Sequence, residues 1–220
     1  MNIGSFLVGH EEAVRLGAFL LVFALMAAWE MAAPRRALTL GKGRRWLANL
    51  GVTLLDMAVV RVLFPTATVG VALAIGERHW GLLNAVAVPA PLAFVLSLIA
   101  LDMLIWAQHI AFHRVPLLAR LHRMHHADLD FDVTTGLRFH PVEIALSLLI
   151  KFAAIAALGA PAAAVLVFEL LLNLGSLFNH GNVRIPERID RALRWLVVTP
   201  DMHRVHHSVE PEEINANFGF

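Results

Sequence analysis

Cysteine is absent from this 220-residue chain, and its charges nearly cancel, with 18 lysines and arginines against 17 aspartates and glutamates. Without cysteine the chain cannot form disulfides, thiolate zinc sites or cysteine-ligated iron–sulfur clusters. Any metal must therefore be bound by histidine and carboxylate side chains. The formal net charge of +1 does not favour binding to nucleic acid. The H-E-x-x-H motif of zinc proteases and the G-x-G-x-x-G fingerprint of dinucleotide-binding domains are also missing.

Apolar residues are present in large excess instead. They make up 58% of the chain, and the mean hydropathy is +0.67. They occur in long runs, which is typical of membrane spans of about 20 residues. Glu11 and Glu12 lie where a signal peptide would carry basic residues. We therefore expect the first apolar run to be a retained span rather than a cleaved leader.

The apolar runs predict an all-α integral membrane protein with about four to five membrane helices. The runs cover residues 13–33, 46–64, 86–109, 142–158 and 161–178. Residues 66–76 are apolar but too short to span, which predicts a re-entrant or interfacial piece, or an extension of the second run. The last two runs are separated by Gly-Ala-Pro, and the fourth contains Lys151. A shallow hairpin is therefore an alternative for this pair.

The basic residues predict an orientation. Placing the basic segment 34–45 in the cytoplasm follows the positive-inside tendency. It leaves five lysines and arginines in that segment, four in residues 114–141 and five after residue 181 on the same side. Ten of the twelve histidines then lie on that side too, and only His10 and His79 lie elsewhere. Rich usage of alanine, leucine and arginine favours a bacterial inner membrane.

Three short motifs, HIAFH, HRMHH and HRVHH, contain eight of these histidines. They are His109, His113, His122, His125, His126, His203, His206 and His207. Spacings of three and four place side chains on one helix face, and neutral imidazole binds zinc, iron, copper and nickel. His140 and His180 bring the set to ten, a number that suits two metal ions better than one. We therefore expect a helical cap at the cytoplasmic side that holds a dimetal site.

The ordered motifs HIAFH, HRMHH, FNHGN and HRVHH resemble the membrane fatty acid hydroxylase and sterol desaturase superfamily. The stretches TTGLRFHPVE and TPDMHRVHHS resemble its bacterial, sterol desaturase-like members. The resemblance covers residues 101–220, and residues 1–100 match only as generic membrane spans. We therefore divide the chain into N-terminal spans (1–100) and a histidine-motif domain (101–220) that form one integrated unit. The family's aromatic-rich stretch with W-D-R and F-G-T does not follow NANFGF, so a wall or lid of the site is expected to be missing.

The resemblance implies an oxygen-dependent non-haem diiron enzyme that hydroxylates or desaturates a sterol, a fatty acyl chain or a related lipid. All ten histidines above are expected as metal ligands, with His180 and His140 the additional positions. Iron follows from the resemblance alone, and zinc is an alternative occupant because it also binds imidazole. Acidic or amide groups should orient the rings. The candidates are Asp102, seven residues before His109, Asn179 beside His180, and Asp201 near His203.

Other residues and classes remain open at this stage. Glu143 is a neighbour of His140, and the three aspartates at 128, 130 and 132 fit either a role at the site or a solvated loop or helix cap. Without a nucleotide fingerprint, electrons should come from a separate donor such as a cytochrome b5-like protein, a ferredoxin or a flavin reductase. The main alternative is a membrane metal-binding or transport protein without redox catalysis, although transporters place their ligands near the bilayer midplane. A di-haem cytochrome would not need clustered histidines.

Overall fold

The computed structural model describes residues 3–64, 66–210 and 212–219, and every regular element in those ranges is helical. Five helices are long: α2 (Glu11–Ala32), α3 (Lys42–Leu63), α6 (Ala90–Arg114), α8 (Pro141–Leu158) and α9 (Ala162–Asn179). The shorter ones are α1 (Ile3–Gly9), α4 (Thr68–Glu77), α5 (Leu82–Ala85), α7 (Pro116–His126), α10 (Glu187–Leu193) and α11 (Pro200–His206). A 3₁₀ turn covers Thr135–Leu137. The all-α prediction is confirmed.

Five segments of the described chain are long and apolar enough to cross a membrane. They are Glu11–Ala32, Lys42–Ala85, Ala90–Arg114, Pro141–Leu158 and Ala162–Asn179. The last two are 18 residues each, about 27 Å long at the usual helical rise. That length nearly matches a hydrocarbon core of about 30 Å. The chain is therefore a multi-pass integral membrane protein, at the upper end of the predicted helix count.

The long helices place apolar side chains outward and several polar side chains inward. Leu21, Leu54 and Val62 are exposed, whereas Asn49 and Glu169 are buried. In water this arrangement would be unfavourable, but in a bilayer the outward side chains contact lipid and polar groups turn towards the bundle interior. The surface of the bundle thus supports its assignment to the membrane.

Residues 66–76, ambiguous from the sequence, mostly belong to α4, which packs against α8 and α9. Val69 and Ala72 of α4 are buried with Leu101 of α6 and Leu166 of α9 in the main apolar cluster. This cluster packs α4, α6, α8 and α9 against one another. Because α6, α8 and α9 meet there, it sets the positions at which the same helices end near the candidate site.

A close backbone approach ties the segment before α5 to the turn between α8 and α9. Gly159 ends α8 with a φ of 70°, and Gly81 has a φ of 91°. A Cβ atom on Gly81 would lie 2.1 Å from the backbone nitrogen of Gly159. Both positions therefore require glycine, for the left-handed backbone and for the contact.

On the histidine side, a buried ion pair attaches the segment after α7 to α3. Arg45 donates to Asp128 at 2.8 Å through both Nε and Nη2, and to Asp132 at 2.7 Å through Nη1. Asp130 accepts from the backbone nitrogens of Thr39 and Leu40. The three aspartates therefore anchor the loop and are not a solvated run. They hold it over the bundle end, next to the histidine motifs.

Candidate metal centre

Nine histidines converge at one end of the bundle in two groups. The five-histidine group consists of His109, His113, His122, His126 and His206. The four-histidine group consists of His125, His180, His203 and His207. Within each group, one ring nitrogen from every residue lies within 4.8 Å of the others. The helical motif HRMHH contributes to both groups, as does HRVHH, so the two groups are adjacent.

Helix ends bring the rings together. His109 and His113 occupy the last turns of α6, and Pro116 starts α7 immediately afterwards. His180 caps the C-terminus of α9. Pro200 opens the short helix α11, which carries the HRVHH motif. Proline suits the first helical turn because its nitrogen needs no hydrogen bond there. Short connections between these helices therefore fold separate motifs onto one site.

The Nε2 atoms of the five-histidine group lie at short distances. His109 Nε2 is 3.2 Å from His122 Nε2 and 3.1 Å from His206 Nε2. His113 Nε2 and both ring nitrogens of His126 are buried without a hydrogen-bond partner among the described residues. Buried polar atoms normally have partners, and a neutral imidazole has one lone-pair nitrogen. One nitrogen of each ring is therefore available to a bound cation.

His180 is at the centre of the four-histidine group. Its Nε2 atom lies 3.1 Å from His125 Nε2, 3.1 Å from His207 Nε2 and 3.0 Å from His203 Nε2. A neutral imidazole carries a single N–H proton, so one ring cannot donate to three neighbours. The arrangement therefore needs a different explanation from ordinary hydrogen bonding.

The contacts of the Nδ1 atoms show which nitrogen of each ring carries the N–H proton. His109 Nδ1 is 3.0 Å from the Phe218 carbonyl oxygen, and His206 Nδ1 is 2.8 Å from that of Ala216. In the other group, His125 Nδ1 lies 3.2 Å from the Arg138 carbonyl and His180 Nδ1 lies 2.8 Å from the Ser176 carbonyl. Carbonyl oxygens only accept, so Nδ1 must donate in each case. In the neutral rings, each Nε2 atom then carries a lone pair and no proton.

Lone pairs facing each other at about 3 Å repel unless a cation lies between them. Metal–imidazole bonds are about 2.0–2.1 Å long. Two such nitrogens bound to one ion lie about 2.9 Å apart in octahedral geometry and about 3.4 Å apart in tetrahedral geometry. The observed Nε2 separations of 3.0–3.2 Å lie between these values. The residues present therefore fit one metal ion in each histidine group.

Burial keeps the rings neutral and ready to bind metal. Desolvation lowers the pKa of His180 to about 4 and that of His206 to about 3. The pKa values of His125, His203 and His207 are also lowered, first by burial and then by neighbouring histidines. A metal ligand must be deprotonated, so at neutral pH these side chains meet that requirement.

Glu143 is an acidic residue that orients a ring; the sequence made it a candidate for that role beside His140, whereas in the structure it contacts His122. Its Oε1 atom accepts from His122 Nδ1 at 2.7 Å, and both side chains are buried. A carboxylate in this position fixes the tautomer and raises the basicity of the metal-binding nitrogen. Its place in the first turn of α8 offered a weak signal, because α8 begins beside the motif helices.

The three predicted orienting residues lie in different surroundings. Asp102 is exposed on α6. Asn179 is fully buried, and neither polar atom of its side chain has a hydrogen-bond partner among the described residues. Asp201 pairs with Arg35 at 3.0 Å and with Arg204 at 3.6 Å. Asp201 thus ties the loop after α2 to α11, and Asn179 is the one whose buried polar atoms face no described partner.

His140 is the predicted ligand that the structure does not bring into either group. It precedes α8, and its Nδ1 atom accepts from the Val142 backbone nitrogen at 3.1 Å. This is an N-cap interaction, which satisfies one of the free N–H groups at a helix start. The other nine predicted ligands all belong to one of the two groups.

The C-terminal segment closes over the five-histidine group, which the motifs did not indicate. Its backbone carbonyls orient His109 and His206, and the Phe218 ring lies 5.1–5.4 Å from the rings of three group members. Asn217, with a φ of 54°, donates to the Met202 carbonyl at 2.9 Å. The segment NANFG thus forms part of the wall of the five-histidine group.

A cavity of about 160 Å³ begins at the histidines and continues between α6, α8 and α9. His109, His122, His125, His180 and His203 form one end of it. Apolar side chains such as Phe112, Phe139 and Leu172 form part of its wall. Both histidine groups therefore reach the same cavity in the bundle.

Fold and site define a multi-pass helical membrane protein with a double histidine centre at one membrane face. A family model described as fatty acid hydroxylase matches residues 94–220, more than half of the chain. The chain belongs to the fatty acid hydroxylase family. It is also similar to an alkylglycerol monooxygenase of Xenopus tropicalis, at 25% identity over 184 residues. This match covers 80% of the chain but 39% of that relative, and no solved structure matches the chain significantly.

Proposed function

We propose that this protein is a membrane-bound dimetal oxygenase that uses dioxygen to hydroxylate or desaturate a lipid. The observation that carries the proposal is the convergence of nine histidines into two adjacent groups with inward-facing Nε2 lone pairs. Membership of the fatty acid hydroxylase family and similarity to a protein named as a monooxygenase support the same chemistry. When bound and reduced, the metal pair would activate dioxygen for attack on a C–H bond.

We propose iron as the working metal, with zinc as an alternative occupant of purified protein. Ten histidines were predicted as ligands, and the nine in the two groups are the ones we propose. His140 caps the N-terminus of α8 in this structure. It would need a change in conformation to reach either histidine group and act as a ligand. Asn179 is proposed to contact the centre through water, because both of its buried polar atoms lack a described partner.

The orientation and the electron donor are further parts of the proposal. We propose that the histidine face lies in the cytoplasm of a bacterial inner membrane, where the basic loop after α2 also lies. A cleft of about 870 Å³ on that face is lined by His126 of one group and His207 of the other, with Arg35, Arg36 and Arg204 nearby. A separate electron donor, cytochrome b5-like, ferredoxin or flavin reductase, would reach both groups most directly there.

The test is the lipid composition of cells that express the protein under ¹⁸O₂. Hydroxylation would add one ¹⁸O atom to a lipid, whereas desaturation would remove two hydrogens without adding the label. We expect one of these changes with the wild type and neither with His125→Ala. His10→Ala is the matched control, because His10 lies outside both groups, and it should behave as the wild type.

The alternative, a metal-binding or transport protein, predicts a different result in the same cells. Lipids would be unchanged by the wild type, while cellular metal content would differ between wild type and His125→Ala. That outcome would contradict the oxygenase proposal.

A further inference from the structure

An exposed apolar face lies on the short helix α10 and the turns that follow it. Ile189 is 53% exposed, Trp195 90% and Leu196 82%. Backbone hydrogen bonds from Leu196 and Val197 to the Leu193 carbonyl continue the helical turns beyond the end of α10. Because seven residues make about two helical turns, Ile189 and Leu196 share one face, and Trp195 lies at its edge.

This helix turns a polar side chain towards the protein and its apolar face away from it. The buried residue of α10 is Asp190, which pairs with Arg194. In a helix on the surface of a water-soluble protein, the apolar face packs on the core and the charged residues face the solvent. The reversed arrangement of α10 suits a helix whose outer side contacts an apolar medium.

Contacts with a membrane helix place the start of α10 at the boundary of the bilayer. The backbone nitrogen of Arg184 donates to the Ala33 carbonyl at 2.9 Å, one residue after α2 ends. Ile185 packs against the same apolar cluster as Phe23 and Met26 of α2. Since α2 is one of the candidate membrane spans, the residues just before α10 lie at the height where that span ends. The exposed apolar face therefore lies near the lipid headgroups.

Residues 184–197, which we call the α10 segment, are also basic. Their net charge is +2, from two acidic residues and four arginines, Arg184, Arg188, Arg191 and Arg194. Arg184 and Arg188 are exposed and form no ion pair with any residue that the structure describes. Anionic lipid headgroups attract basic residues close to the membrane surface. The charge of the α10 segment is therefore complementary to such a surface.

We propose that the α10 segment docks on the bilayer surface at the histidine end of the protein, with its apolar face in the lipid and its arginines on anionic headgroups. Amphipathic helices with basic residues and large apolar side chains bind in this way, with the apolar face about 5–10 Å into the boundary between headgroups and acyl chains. Trp195 suits this zone because its indole ring is apolar and its N–H is polar. This inference goes beyond the proposed function and does not depend on it.

The absence of cysteine allows a direct measurement of depth, because an introduced cysteine is the only thiol in the chain. We would attach a nitroxide to Ile189→Cys and, as the matched control on the polar side of the same helix, to Glu187→Cys. Both positions are exposed on the protein itself. Each labelled protein is placed as a single chain in nanodiscs of phosphatidylcholine with an equal amount of phosphatidylglycerol. Collisions of the label with oxygen, which partitions into lipid, are compared with collisions with a water-soluble nickel chelate.

The two labels should respond in opposite ways. We expect the label at residue 189 to collide more with oxygen, and the label at residue 187 to collide more with the chelate. A residue 189 label that collides mainly with the chelate would place the apolar face in water. A label shielded from both reagents would place that face against another part of the protein. Either of these results would overturn the proposal.

The charge of the lipid tests the role of the arginines. Nanodiscs of phosphatidylcholine alone should lower the ratio of oxygen to chelate collisions at residue 189 severalfold, because the headgroups then carry no net charge. Adding Arg188→Gln should roughly halve this dependence on lipid charge, since it removes one of the two exposed arginines without an ion pair. Arg78→Gln, at an exposed arginine outside the α10 segment, is the control and should leave the dependence unchanged. The same ratio in both lipid mixtures would contradict the contact with anionic headgroups.

Discussion

Both groups consist of histidine rings, but different parts of the chain hold the rings of each group in place. The five-histidine group depends on the Glu143 carboxylate and on the carbonyls of Ala216 and Phe218 in the C-terminal segment. The four-histidine group depends on the Ser176 carbonyl of α9 and the Arg138 carbonyl after the 3₁₀ turn. The C-terminal segment that orients the five-histidine group lies outside the membrane helices, whereas Ser176 of the four-histidine group belongs to the membrane helix α9. We therefore expect the two groups to hold their ions with different affinities.

The largest effect should come from removing one ring at a group's centre. His180→Ala deletes the Nε2 atom that faces three others, so we expect loss of the ion in the four-histidine group and at least a roughly 100-fold loss of activity. His206→Ala should empty the five-histidine group instead. Metal analysis of each variant should give one ion per chain, with His79→Ala retaining both. Variants that keep two ions would contradict the assignment of the groups.

The next largest effect concerns the loop between α7 and α8. Arg45→Met leaves Asp128 and Asp132 buried without their partner, which typically costs about 3–5 kcal/mol of folding free energy. That loop contains Phe131, whose ring centroid lies 5.6 Å from that of His180. We therefore expect the four-histidine group to lose its metal first. Thermal unfolding measures the stability change. Arg191→Met, which breaks an exposed pair with Glu187, is the control and should change stability by less than about 1 kcal/mol.

Glu143→Gln should weaken the five-histidine group selectively. The amide loses the charge of the acceptor for His122 Nδ1, and changes of this kind typically cost about 10–100-fold in metal affinity. A chelator competition experiment that follows both ions should show one released about tenfold more easily. Asp102→Asn is the matched control on an exposed carboxylate. If Asp102→Asn has the larger effect, the assignment of the orienting acid to Glu143 is wrong.

The smallest effect should come from the C-terminal segment. Asn217→Ala removes the hydrogen bond to the Met202 carbonyl and places alanine at a φ of 54°, a conformation that favours asparagine or glycine. We expect a several-fold faster loss of metal from the five-histidine group and no change in the other. Stopped-flow release to a chelator measures both rates. Equal acceleration of both would show that the segment supports the whole centre.

The spans and the common side of the histidines follow from the sequence, because hydropathy and helical spacing are local properties. The five candidate spans were predictable from the apolar runs, and eight of the nine clustered histidines from HIAFH, HRMHH and HRVHH. His180 followed from the resemblance carried by FNHGN. From the sequence, Lys151 could either snorkel to the interface or point into the bundle, and in the structure it pairs with the buried Glu169.

Contacts between distant segments could not be predicted. Asp102 was expected to share a face with His109, but the buried stripe of α6 recurs every four residues and includes Leu101 at that level. The four-residue stripe drifts around the helix axis, which leaves Asp102 exposed. Glu143 and the carbonyls of residues 216 and 218 act through tertiary packing, and backbone carbonyls leave no residue-type signal in a sequence.

We propose that this chain holds two metal ions, one in each histidine group. The most direct test is the metal content of freshly prepared, anaerobically handled wild-type protein, with Mössbauer spectra of ⁵⁷Fe-enriched samples. We predict two ions per chain and, for iron, the spectrum of a non-haem pair. One ion per chain, or a haem spectrum, would contradict this account.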